Sequence, residues 1–278
     1  MKIARTISAV RSYQRTQRAP IVLVPTLGAL HHGHAELLKH ARRLAGKKGR
    51  VAASIFVNPT QFGPNEDFSR YPRPWKNDLK VCREAGVDLV FAPSVEEMYF
   101  PDRSVFIDES TLSRNLCGAS REGHFRGVCT VVAKLFLIVQ PETAVFGEKD
   151  WQQLAIIRRM VRDLNFPVNI VGHPTVREAD GLATSSRNAY LTPEERSVAP
   201  QINQALRQAS TGKTAGQILK TGRKLLEKIP GARVDYLELV DAETLADVTR
   251  LNRPMRLATA VFLGKTRLID NIPVAGRT

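Results

Sequence analysis

Apolar residues along this chain keep two rhythms. Short continuous runs, IVLVP (21–25), VAASIFV (51–57), VDLVFA (87–92) and ETAVFG (142–147), are rich in Val, Ile and Phe. Runs of this kind read as strands buried on both faces, and VNIVG (168–172) is a fifth candidate. Between them the spacing changes to threes and fours. Leu37, Leu38, Ala41, Leu44 and Ala45 form one apolar stripe, and similar patterns predict helices over 34–45, 75–85, 127–139 and 151–164. Strand and helix in alternation predict an α/β fold, a parallel sheet covered on both faces, with ligands at the carboxyl ends of its strands.

From about residue 176 the texture changes. Helical patterns occupy 194–209 and 213–228, followed by strand candidates at 233–241, 257–263 and 267–272. Gly264 in the connecting GKT suits a hairpin turn. The expected division is therefore a larger domain over 1–175 and a smaller α+β domain over 176–278. No internal repeat or low-complexity segment interrupts it.

The longest apolar stretch, GVCTVVAKLFLIV, is broken by Lys134 and stays below the ~18 residues of a membrane span, so no membrane partner is expected. The N-terminus is basic, as a transit peptide is, yet it lacks the apolar centre of a signal peptide, and the first predicted strand follows closely. Cys82, Cys117 and Cys129 are scattered, giving neither a disulfide framework nor a paired zinc motif. A reducing, cytoplasmic setting is expected.

The formal charge of +14 raises the question of nucleic acid, since the first fifty residues hold eleven Lys and Arg against the single Glu36. The helical stripe answers it. Lys39, Arg42 and Arg43 fall mainly opposite Leu38 and Ala41, on a solvated face, and no interleaved aromatic run accompanies them. A nucleic-acid partner is not expected.

Four polar stretches follow predicted strands or join the two parts. In PTLGALHHGH (25–34), a helix starting near Gly33 offers unpaired N–H groups and a positive dipole end, a seat for phosphate. His31 and His34 share that seat at three-residue spacing while His32 points elsewhere, and Gly28 and Gly33 let the backbone approach a ligand. The alternatives are a metal site, which lacks neighbouring Cys or carboxylate ligands, and a turn with a histidine cap. In FGEKDWQQL (146–154), Lys149 is placed to neutralise phosphate charge, whereas Asp150 and Gln153 also fit a capping box. In ADGLATSSRN (179–188), hydroxyls and Arg187 suit the wrapping of β- and γ-phosphates, or form an ordinary polar loop. In SIFVNPTQFGPNEDFSRYPR (54–73), Asn58 and Gln61 can hydrogen-bond a small polar substrate, or Asn-Pro merely starts a turn.

Taken together and in this order, PTLGALHHGH, FVNPTQF, FGEKDWQQ and PTVREADGLATSSRN resemble the pantothenate synthetase family nearly end to end. That family belongs to the nucleotidylyltransferase superfamily with its HxGH signature. The resemblance implies a Rossmann-like doubly wound sheet domain, a smaller C-terminal domain covering the active site, and a homodimer. It implies ATP-dependent joining of pantoate to β-alanine through a pantoyl adenylate, with Mg²⁺ arriving on ATP. By position, His31 and His34 match the family histidines, and with Lys149 and Arg187 they are the expected catalytic residues. The implied ATP contacts are Leu27, Gly28, Ala29, Leu30, His31, His32, Gly33 and His34, then Gly147, Glu148, Lys149, Asp150, Val176, Thr184, Ser185, Ser186 and Arg187. Gln61 and Gln153 match glutamines that hold pantoate, Gln61 also bordering the β-alanine site. Asn58, His124 and Arg121 match positions near that pocket.

The chain departs from the family at three places. Leu27 and Thr184 stand where Met is common, and Asn77-Asp78 replaces an acidic pair. Leu for Met is a mild change of shape, while Thr184 is smaller and polar. No protein-held metal is expected at Asn77-Asp78, because Mg²⁺ prefers phosphate oxygens and water.

Overall fold

The computed structural model describes residues 1–64 and 66–276. Residues 65, 277 and 278, which fall in the polar stretch 54–73 and at the end of the expected second domain, lie outside the described residues. The first strands and helices along the chain are β1 (Lys2–Ala4), α1 (Ile7–Gln17), β2 (Ile21–Thr26), α2 (His32–Ala45) and β3 (Arg50–Ile55). Then come α3 (Trp75–Glu84), β4 (Leu89–Phe91), α4 (Val95–Met98), α5 (Cys117–Ser120), α6 (His124–Val139), β5 (Thr143–Gly147), α7 (Trp151–Asp163) and β6 (Asn169–His173).

The six strands form one sheet in the order β1-β4-β3-β2-β5-β6, and every neighbouring pair is parallel. β2 lies centrally because both its faces are apolar, with Val22 and Val24 packing among Leu38 and Ala41 of α2 and Val51, Ala53, Val90 and Val145 of neighbouring strands. From β2 the chain moves outward through β3 and β4, then returns on the other side of β2 as β5. The carboxyl ends of β2 and β5 therefore flank the point where strand order reverses, where doubly wound folds bind ligands.

The five strands expected from apolar runs are present. β1 escaped that reading because three residues with only Ala4 buried carry no periodic signal. α1 escaped it because Val10 and Tyr13 are its only buried residues. α6 begins at His124 rather than 127, after Gly123 in a left-handed conformation (φ 74°).

The later elements are α8 (Pro193–Val198), α9 (Gln201–Ala209), α10 (Ala215–Leu226), β7 (Ala232–Asp241), β8 (Met255–Leu263) and β9 (Thr266–Val274). The single helix expected over 194–209 is two, divided at Pro200, which has no N–H to continue the first. β7, β8 and β9 make an antiparallel sheet in that order, and Gly264 (φ 54°) makes the β8–β9 turn as expected. Ile202, Leu206, Ile218 and Leu226 of the helices bury against Leu239, Leu257 and Val261 of the sheet. Gly222 allows that approach, because a Cβ there would lie 2.8 Å from Leu237 Cδ2.

The chain packs as two compact units. The first holds residues 1–110, 121–148 and 156–174, including the parallel sheet. The second holds 111–120, 149–155 and 175–278, including the antiparallel sheet.

Candidate active site

β2 ends in a loop whose shape is imposed by hydrogen bonds. Thr26 Oγ1 donates to Ser54 O at 2.6 Å and accepts the Gly28 N–H at 3.2 Å. Gly28 (φ 91°) and Ala29 (φ 51°) are both left-handed, which is unfavourable for alanine. The buried carboxylate of Asp78 compensates. Its oxygens accept the N–H of Ala29 at 3.1 Å and of Leu30 at 2.7 Å, while Asn77 Nδ2 donates to Leu30 O at 3.2 Å. Burial pushes the Asp78 carboxyl above its usual range, opposed by the two N–H donors. Gly28 is needed for this closeness, since a Cβ would lie 3.1 Å from both Asp78 Oδ2 and Ile55 Cγ2. Leu27 and Gly28 also line a pocket of about 260 Å³ with residues at the carboxyl ends of β3 and β4.

α2 then starts on a reciprocal cap. His31 Nδ1 accepts the Gly33 N–H at 3.1 Å, and His34 Nδ1 accepts the His31 N–H at 3.4 Å. A ring nitrogen that accepts carries no proton, so each neutral imidazole keeps its proton on Nε2 and acts there as a donor. The rings lie 4.1 Å apart. The histidine-cap reading is thus realised, and it orients both rings at the positive end of a 14-residue helix. His32 is exposed and Gly33 buried.

The turn after β3 is a second polar centre in the same unit. Asn58 is fully buried, and its Nδ2 donates to Gln61 Oε1 at 3.1 Å and Gly127 O at 3.2 Å. Its Oδ1 accepts Tyr99 Oη–H at 2.8 Å and Thr60 Oγ1–H at 2.9 Å. Asn58 is therefore engaged within the protein on both its amide nitrogen and its amide oxygen. His124 Nδ1 donates to Gln61 O at 2.8 Å, and its Nε2 accepts from Arg121 Nη1 at 2.9 Å. Arg121 meets Glu66 bidentately, both contacts at 2.6 Å. Burial raises the Glu66 carboxyl, but the Arg121 hydrogen bonds and charge prevail and hold it below the ordinary glutamate range. Gly127 seats α6 on this turn, for a Cβ there would fall 2.3 Å from Thr60 O.

In the second unit, Lys149 Nζ lies 3.9 Å from the carboxylate of the exposed Asp150. The Lys149 carbonyl accepts from Asn271 Nδ2 at 2.9 Å, and Asn271 Oδ1 accepts from Arg256 Nη1 at 3.2 Å. Arg256 stacks over Trp151 at 3.5 Å from the ring centre. Gln153 is half-buried. Its neighbour Gln152 is the structural glutamine, accepting the Cys117 N–H and donating to Leu112 O and Asn115 O. The 176–187 segment folds back on itself, with Thr184 N–H donating to Val176 O at 3.0 Å and Arg177 paired to Asp270 through two 2.8 Å contacts. Ser185 caps the short turn Ser186–Tyr190 by accepting the Arg187 N–H at 3.3 Å. Gly147 ends β5 and Glu148 opens the short turn after it, both within the first unit.

Among the described residues, no group of three or more His, Cys, Asp or Glu side chains is placed to hold a metal ion. Each oxygen of Asp78 accepts one backbone N–H group, and the neighbouring Asn77 amide donates to Leu30 O. Sequence reasoning passed over Asp78, Asn271 and Tyr99 as supports. Only long-range packing links them to the loops they hold, and no local spacing signals it.

Comparison with known proteins adds four findings. The family profile described as pantoate-beta-alanine ligase matches residues 2–273. A pantothenate synthetase of Akkermansia muciniphila is 57% identical over 256 residues, 91% of either chain. The crystal structure of pantothenate synthetase from Thermus thermophilus superposes with a TM-score of 0.94 at 47% identity, covering 99% of this chain and 100% of that one. A pantoate-beta-alanine ligase from Francisella tularensis, solved as a complex with beta-gamma ATP and beta-alanine, matches with a TM-score of 0.81 at 34% identity, covering 98% and 97%.

Proposed function

This chain belongs to the pantoate-beta-alanine ligase family, and from that premise we infer that it joins pantoate to β-alanine with consumption of one ATP. The observation that carries the reading is the family match from residue 2 to residue 273. In the first step a pantoate carboxylate oxygen attacks the α-phosphorus, forming pantoyl adenylate and expelling diphosphate. In the second, the neutral amine of β-alanine attacks the acyl carbon, the acyl C–O bond breaks, and AMP departs.

Neither step needs a protein nucleophile, so the residues act by positioning and by charge stabilisation. We assign the Nε2–H donors of His31 and His34 to phosphate oxygens, favoured by the helix end on which they sit. Lys149 and Arg187 supply positive charge to the phosphates, and Mg²⁺, carried in on ATP, neutralises the triphosphate. The remaining ATP contacts are assigned to residues 27–30, 32–33, 147–148, 150, 176 and 184–186. Gln61 and Gln153 are assigned to pantoate, with Asn58, His124 and Arg121 as the framework that orients Gln61.

Three further readings accompany this one. The domains are assigned to 1–175 and 176–278, with 111–120 and 149–155 packing as part of the second unit. The protein is assigned as a homodimer, a reading supported by the exposure of Phe100 (70%) and Val105 (82%), and light scattering on the purified protein tests it. No helix among the described residues is long and apolar enough to cross a membrane, and a cytoplasmic location is assigned. The activity is tested by omitting substrates singly. AMP must accumulate over many turnovers only when pantoate, ATP and β-alanine are all present. Multiple-turnover release of an adenylylated product without β-alanine would identify a different adenylyltransferase.

A further inference from the structure

Asn271 is buried on β9, and each of its polar groups is committed. Its N–H donates to Asp270 Oδ1 at 2.7 Å, and its carbonyl accepts from Arg177 Nη2 at 3.3 Å. Asp270 in turn holds Arg177 through two 2.8 Å contacts and accepts from Asn203 Nδ2 of α9 at 3.2 Å, which braces the main chain at this point. The side chain is fixed as firmly. Its Oδ1 accepts from Arg256 Nη1 at 3.2 Å. A guanidinium can only donate, so the amide has one sense, and its NH₂ faces Lys149 O at 2.9 Å. Arg256 is buried against the ring of Trp151, whose Nε1 donates to Ala242 O at 3.0 Å. The segment 149–151 is thus gripped twice, at the Lys149 carbonyl and at the indole two residues on. Buried charges are weak evidence for stability, since apolar residues of similar volume often serve a fold as well. What this set provides is a donor held in one place and one orientation.

We propose that Asn271 is a positioning residue for the adenylation step, acting through Lys149. This rests on the assignment of Lys149 to phosphate charge. Asn271 touches no substrate in this role. It sets where the Lys149 main chain lies, and so where the ammonium is carried, while Arg256 keeps the amide from turning over. The ammonium has to meet charge as it builds on the phosphates during attack by pantoate, and displacing such a group by about an ångström costs about 10²-fold in rate. The second step, which follows the loss of diphosphate, depends on it less.

Single-turnover kinetics of wild type, Asn271→Asp, Lys149→Ala and the double variant test the role. Asn271→Asp keeps the shape and the acceptor toward Arg256 but turns an oxygen toward Lys149 O. Its adenylate formation from saturating ATP and pantoate should fall about 10²-fold, with pantoate KM nearly unchanged. Attack of β-alanine on preformed pantoyl adenylate should suffer less. Within Lys149→Ala the same change should cost nothing further, because residues that act as a unit are not additive. Asn271→Ser, which adds no charge and shortens the side chain, should repeat the pattern, and it carries the test if Asn271→Asp does not fold. Equal losses in both half-reactions, or a further loss of similar size within Lys149→Ala, would make Asn271 a general support of the fold and overturn the proposal. If Asn271→Asp forms adenylate at the wild-type rate while Lys149→Ala does not, the positioning role alone is overturned. If Lys149→Ala itself forms adenylate at the wild-type rate, the assignment of Lys149 fails, and this inference falls with it.

Discussion

Asp78 Oδ1 accepts the backbone N–H of Leu30 at 2.7 Å, joining the first turns of α3 to the loop that ends in His31. The companion bond from Ala29 N–H to Oδ2 holds a non-glycine residue at φ 51°, where its Cβ is crowded. An anionic acceptor is worth more to an N–H than a neutral one, and it is fixed here by burial on a packed helix. The loop shape set at residues 28–30 in turn places the reciprocal His31–His34 cap. Residue 78 thus acts on the histidines through the backbone.

Asp78→Asn can satisfy one N–H and turns an NH₂ toward the other. Its kcat for adenylation should fall by about 10²-fold, as displacement of reacting groups by an ångström does, with pantoate KM nearly unchanged. Asp78→Ala should fall further. Raising Mg²⁺ should rescue neither variant. Restoration of activity by excess Mg²⁺ would make Asp78 a metal ligand instead.

Lys149→Ala should depress pantoyl adenylate formation by several powers of ten, and Lys149→Gln should recover little, because the phosphate would stay unneutralised. Attack of β-alanine on bound, preformed pantoyl adenylate should suffer less, since diphosphate has left by then. Single-turnover kinetics of each half-reaction separates the two. Equal losses would reduce Lys149 to a general support of its segment.

The Glu66–Arg121 pair should make stability depend on acid. The Glu66 carboxyl is held below the ordinary glutamate value of 4.5, so its folded form is the stronger acid. Its contribution is then fully present above that value and is lost as pH falls through the lowered one. The stability difference between wild type and Glu66→Gln should be constant near neutrality and shrink in acid below 4.5, measured by urea unfolding across pH. A difference that grows in acid would reverse the assigned sign.

Gly127→Ala forces a Cβ to within 2.3 Å of Thr60 O, a backbone atom that cannot rotate away. The variant should lose about 1–3 kcal/mol of stability by denaturant unfolding. Its pantoate KM should rise more than its ATP KM, because the turn carrying Gln61 shifts. Unchanged stability would mean that α6 and the turn separate freely.

Much of this architecture was legible in the residues. Val-rich runs such as IVLVP and VAASIFV can be buried only in the middle of a sheet, and β2 and β3 pair there in register from Ile21 with Arg50 to Thr26 with Ile55. The polar stretches at strand ends were legible for the same reason, since strand ends and helix starts are where unpaired N–H groups gather. The partners of those stretches were not. Asp78 reaches Leu30 across 48 positions, and Asn271 reaches Lys149 across 122, so neither bond leaves a local pattern. Asn58 carries the same lesson, because its amide meets Gln61 and Thr60 nearby in the chain but also Tyr99 and Gly127, 41 and 69 positions away.

The central claim, activation of pantoate as an acyl adenylate, is tested most directly by the fate of its carboxylate oxygens. Pantoate labelled with ¹⁸O in both carboxylate positions should be turned over with ATP and β-alanine and the products weighed by mass spectrometry. Attack on the α-phosphorus followed by acyl C–O cleavage predicts that each AMP carries one ¹⁸O and that diphosphate carries none. Unlabelled AMP, or label in diphosphate or orthophosphate, would contradict the account.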